Sequence, residues 1–82
     1  MAPYTTVTTL ERLRIERGLS RNEVARRAPL NRKTLKRLEV CSGEEPRAHT
    51  IQKLAVFYGV RPDWLLREIR RDFFEHEHER AA

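Results

Sequence analysis

Two helix starts stand close together in the stretch SRNEVARRAPLNRKTLKRLE, residues 20 to 39, with Pro29 between them. Ser20 with Glu23 forms a capping box, in which each side chain satisfies an amide that the start of a helix leaves without a partner. Asn31 supplies a second cap. Pro29 pushes Ala28 out of the helical region, so the first of these helices must be short. Val24, Ala25, Ala28, Leu30, Leu35 and Leu38 are the apolar residues that the two helices can bury. Helices joined this tightly must cross steeply, and the small Ala25 lets them come close.

The rest of the chain extends the pattern to an all-α, five-helix domain. TTLE at 8 to 11 predicts a capping box at Thr8 and Glu11, opening a helix that runs to about Arg17 and ends at Gly18. HTIQKLAVFYG places Ile51, Leu54, Ala55 and Tyr58 on one face before Gly59. Pro62 suits the first turn of a fifth helix, with Leu65, Leu66, Ile69 and Phe73 apolar, and the end EHEHERAA is expected to fray. With 82 residues, the chain is the size of one small domain. Cys41 has no partner for a disulfide, and one Cys with three scattered His gives no zinc spacing. No apolar run approaches a membrane span and MAPYTTVTTL lacks the regions of a signal peptide, so a cytoplasmic protein without membrane contact is expected. No nucleophile with an activating partner stands out, so neither an enzyme nor a cofactor is expected.

Charge is placed unevenly. The net charge is +5, but residues 1 to 40 carry ten basic and four acidic side chains, against seven and eight in residues 41 to 82. A one-sided basic surface reads as a nucleic-acid footprint, a membrane-surface patch or a solvated face. On a helical wheel Leu35 and Leu38 define a buried side, and Arg32, Lys33, Lys36 and Arg37 fill the arc opposite. Arg21, Arg32 and Lys33 stand in first turns, where the helix dipole disfavours a cation by about 0.3 to 1 kcal/mol each. A polyanion that supplies the missing negative charge accounts for all three, and DNA phosphates and base edges are the expected target.

The segments LERLRIERGLSRNEVARRAPLNRKTLKRLE and TIQKLAVFYGVRPDWLL resemble the XRE, or Cro/C1-type, helix-turn-helix family that includes the lambdoid phage repressors. The features that carry the resemblance are Arg14 ahead of Gly18 and Leu19, the capping Ser20, Ala25, Glu39 and GVRPDWLL. It implies a DNA-binding domain at 8–67, preceded by an N-terminal arm at 1–7 and followed by a helical extension and acidic tail at 68–82. It implies further that the third helix is the recognition helix, with Arg32, Lys33 and Arg37 reading bases and Arg21 gripping a phosphate. Asn31, Lys36 and, from the following loop, Arg47 complete the expected DNA-facing set. Arginine and lysine bond guanine O6 and N7, so a G-rich half-site is expected. The resemblance also implies a partly buried ion pair between Arg14 and Glu39.

Two positions depart from the family's pattern. Pro29 stands where a glycine is usual, and proline cannot adopt positive φ, so the turn must be built differently. Cys41 replaces a common glycine after the third helix, which leaves Gly43 as the expected terminator.

The resulting expectation is a transcriptional regulator, a repressor in preference to an activator, that binds double-stranded DNA as a homodimer on an inverted repeat. The rival is an antitoxin-type interaction protein that neutralises a partner protein and autoregulates its promoter. The expected dimer interface comprises Pro62, Trp64, Leu66, Ile69, Phe73 and Phe74; the alternative is that this strip folds back on the first helix, and Trp64 equally suits the core.

Overall fold

The computed structural model describes residues 7–43 and 46–81, with side chains through His76. Of the expected arm only Val7 falls within that range. The helices are α1 (Thr9–Glu16), α2 (Arg21–Arg27), α3 (Arg32–Glu39), α4 (Ala48–Tyr58) and α5 (Pro62–Ala81), with no strand among the described residues.

Local chemistry explains most of the boundaries. At α2 the capping box is complete, with Glu23 N donating to Ser20 Oγ at 3.2 Å and Ser20 N to Glu23 Oε1 at 3.0 Å. At α1 only half of the expected box forms. Thr8 Oγ1 accepts from Glu11 N at 3.4 Å while donating to the Glu39 carbonyl at 2.7 Å, and the Glu11 carboxylate lies 3.9 Å from Arg21 instead. Gly18, at φ 67°, ends α1 as the left-handed residue of a Schellman motif, in which Leu19 N reaches Arg14 O at 3.2 Å.

The α2–α3 turn closes without a left-handed residue. Leu30 N donates to Ala25 O at 2.8 Å, spanning Pro29, whose missing N–H removes the second bond of the usual motif. The Pro29 carbonyl accepts from Lys53 Nζ at 3.1 Å, which ties the turn to α4. After α3 the expected terminator is corrected. Cys41 itself is left-handed at φ 56°, and Ser42 N donates to Arg37 O at 2.8 Å, so Gly43 at φ 89° lies beyond the stop. A non-glycine residue pays about 1 to 2 kcal/mol for that conformation, and the burial of the Cys41 side chain offsets part of it.

The core draws on every helix: Leu10 from α1, Val24 and Ala25 from α2, Leu35 and Leu38 from α3, Ile51, Leu54 and Tyr58 from α4, and Leu65 and Ile69 from α5. Full burial of each leucine or isoleucine contributes about 1.5 to 3 kcal/mol. α1 packs on α3 and α5, α2 on α3, and α4 on α5. Arg17 links α1 to α4, with Nη2 donating to Tyr58 O at 3.0 Å and its guanidinium 5.1 Å over the Tyr58 ring.

α5 runs from Pro62 to Ala81. Past residue 67 it still packs on the domain, with Ile69 2% exposed and Asp72 Oδ2 accepting from Thr9 N at 2.8 Å, which adds a cap for α1 from the far end of the chain.

Candidate nucleic-acid interface

α3 sorts its charges by sides. Leu35, Leu38 and Glu39 are turned inward, while Arg32, Lys33, Lys36 and Arg37 are exposed. The one acid of the helix is thus removed from its solvent-facing surface, which is left wholly cationic. Asn31 fixes the start of the helix, its Oδ1 accepting from Lys33 N at 2.8 Å. No acid stands in that first turn, so Arg32 and Lys33 face the positive end of the dipole without local compensation.

Glu39, 0% exposed, holds α3 in place. Its Oε2 accepts from Arg14 Nε at 2.9 Å and its Oε1 from Arg21 Nε at 2.7 Å, so one carboxylate joins the end of α3 to α1 and to the first residue of α2. Arg14 Nη1 also donates to Leu19 O at 3.0 Å, which secures the α1–α2 link. Two charge-assisted bonds and complete burial make this the most constrained polar group beneath the basic face.

Arg21 therefore differs from its reading in the sequence. The sequence leaves it a first-turn cation without compensation, whereas in the fold Glu39 and, at 3.9 Å, Glu11 supply its negative partners. Arg32 is the contrasting case: its Nη1 donates to the neutral Asn22 Oδ1 at 3.0 Å, which orients the guanidinium without cancelling its charge.

Grooves flank α3 on both sides. One brings Arg21 and Asn22 of α2 against Arg32, Lys33 and Lys36. The other lies between α3 and the start of α4, where Thr34 and Arg37 face Arg47, His49 and Thr50. Arg47 is the N-cap residue of α4 and makes no side-chain cap bond, so its exposed side chain adds a cation to that groove. Asn22, Thr34 and His49 are surface components that sequence reasoning missed. The signal for Asn22 was its place inside the capping box, and for His49 its place at the start of α4.

The expected dimer strip is divided. Ile69 is buried in the chain's own core at 2% exposure. Trp64, Leu66 and Phe73 are partly buried against the same core, Pro62 is exposed, and Phe74 is 58% exposed.

Among the described residues, Glu23 and Tyr58 have displaced pKa values. The Ser20 backbone amide, followed by the Ser20 hydroxyl, holds the Glu23 carboxyl below its ordinary value against the effect of desolvation. Burial, followed by the nearby Glu39 charge, pushes Tyr58 up to about 12. Tyr58 Oη has no hydrogen-bond partner among the described residues.

No helix of the described residues is long and apolar enough to cross a membrane. No curated protein and no solved structure matches the chain. The helix-turn-helix domain family does match, over residues 7–71, a span that takes in α1 to α4 and the core-facing part of α5 and is consistent with an XRE-like family. With most of its length so matched, and with two short helices crossing at a tight turn beneath a basic third-helix face, the chain belongs to the helix-turn-helix domain family.

Proposed function

We propose that the chain is a sequence-specific DNA-binding transcriptional regulator that inserts α3 into the major groove and acts as a repressor, bound as a homodimer to an inverted repeat. The observation that carries this reading is the exposed face of α3, where Arg32, Lys33, Lys36 and Arg37 stand together with no acid among them. The major groove admits an α-helix, and arginine donates two bonds to guanine O6 and N7. Arg47 and His49 extend the basic surface toward the adjacent backbone. A second copy supplies the second half-site, about 34 Å away for one helical turn. The surface offered for it centres on Phe74, with Pro62 and the partly exposed Trp64 on the same helix.

Selection of binding sites from random duplex DNA tests the proposal. The expected product is a G-containing inverted repeat, with Arg32→Ala or Arg37→Ala costing about 1 to 3 kcal/mol on that site and relaxing base preference. Failure to enrich any sequence would refute it. The antitoxin reading draws support from Val56, 81% exposed beside Phe57 and Pro29 in an apolar groove. Stoichiometric copurification of a small basic protein would favour it.

A further inference from the structure

We infer that Asn22 is a specificity-determining residue of this domain, a positioning residue that aims the Arg32 guanidinium at a base pair; the inference rests on the reading of α3 as the recognition helix. Arg32 is the first residue of α3 and is exposed, so left alone it would sample many rotamers and lose them on binding. Asn22, itself exposed, biases that freedom toward one direction, its Oδ1 accepting from Arg32 Nη1 at 3.0 Å. The acceptor itself is well placed. Asn22 lies in the first turn of α2, which is locked by the complete Ser20–Glu23 capping box and seated in the core through Val24 and Ala25.

The chemistry of the partner matters as much as its position. A guanidinium has five N–H donors in a planar fork, and one bond from Nη1 leaves the edge formed by Nε and Nη2 available for guanine O6 and N7. An amide orients that fork while leaving its full positive charge for DNA. A carboxylate would not, as Arg21 shows at the start of α2, where Glu39 Oε1 lies 2.7 Å from Nε. Arg27, Arg67 and Arg71 likewise turn to Glu23, Asp63 and Glu68. Arg32 is held by a group that fixes direction and cancels nothing.

The test uses the full chain as wild type, Asn22→Ala, Asn22→Asp, Arg32→Ala and the Asn22→Ala/Arg32→Ala double variant, each checked for helicity by circular dichroism. Sites are selected with wild type. Affinity is then measured over a range of salt on the selected duplex and on duplexes changed at single base pairs. Asn22→Ala is expected to lose about three- to tenfold discrimination at the base pair whose preference Arg32→Ala also abolishes, with the salt slope unchanged. In the Arg32→Ala background it should change nothing further. Asn22→Asp, which adds a competing charge, should weaken every duplex and lower the salt slope by about one. The inference is overturned if Asn22→Ala keeps the wild-type preference, or if it weakens all duplexes equally and does so without Arg32. Failure of the wild type itself to select any sequence overturns the recognition-helix reading and this inference together, and is told apart by occurring before any substitution.

Discussion

Removing the Glu39 carboxylate strands two guanidiniums at once. Arg14, with a side chain 13% exposed, has little water to turn to, while Arg21 at 30% recovers part of its hydration. Breaking a buried ion pair by deleting one partner costs about 3 to 5 kcal/mol, and Glu39→Ala is expected in that range, since the Leu19 carbonyl still accepts from Arg14 and limits the loss. Arg14→Ala leaves the carboxylate one of its partners, so the loss should be about 2 to 3 kcal/mol. Arg21→Ala, removing the more solvated partner, should cost about 1 to 1.5 kcal/mol. A domain of this size has about 4 to 12 kcal/mol in all, so Glu39→Ala should be visibly unstable and still measurable in the cold. Urea unfolding followed by circular dichroism gives the three values, and the Arg14→Ala/Glu39→Ala double variant gives the coupling, expected at about 1.5 to 3 kcal/mol. Coupling near zero, or an Arg21→Ala loss exceeding that of Arg14→Ala, would refute the argument that burial sets the strength of this network.

Tyr58, pushed up to about 12 from an ordinary 10, contributes stability that is fully present below pH 10 and is lost as pH rises toward 12; the difference in stability between wild type and Tyr58→Phe should change across that window only. Because its hydroxyl has no partner among the described residues, Tyr58→Phe should be neutral or stabilising at pH 7 in urea unfolding. Asp72→Ala should cost about 0.5 to 2 kcal/mol by uncapping α1, and Asp72→Asn less, in the same assay. Phe73→Asp buries a charge against the core and should lower the thermal midpoint at any protein concentration, whereas Phe74→Asp, at 58% exposure, should convert a dimer to a monomer in sedimentation equilibrium and remove the concentration dependence of the midpoint.

What the sequence discloses here is what short-range chemistry controls. Ser20 with Glu23, Asn31, Gly18, Gly59 and Pro62 each mark a boundary through a neighbour a few residues away, and the helical spacing of Ile51, Leu54, Ala55 and Tyr58 identifies a buried face. The basic arc of α3 is legible for the same reason, because Leu35 and Leu38 fix the opposite side. Interactions across the fold leave no such trace. That Arg21 turns to Glu39, that Arg32 turns to Asn22 and that Asp72 caps Thr9 depend on how helices cross, and no local pattern encodes them. Ile69 illustrates the limit of periodicity, which groups it with Leu66 and Phe73 without saying which of them meets the chain's own core. Cys41 illustrates another, since nothing in its identity signals a positive φ, whose cost its buried side chain partly offsets in the fold.

The bond from Thr9 to Asp72 joins positions 63 residues apart, and it has a consequence for the order of assembly. Most contacts of a small helical domain are local and form early, at little cost in loop closure. α2 and α3, linked by their short turn, can meet as soon as both exist. The bonds that complete the start of α1, from Thr8 to the end of α3 and from Thr9 to α5, span long stretches of chain. Their loop-closure cost is high, so they are expected to form late, with the Thr9 amide gaining protection from hydrogen exchange after the amides of α2 and α3 during refolding. Glu39 accepts from Arg14 of that same first helix, so the setting of α3 is coupled through α1 to α5.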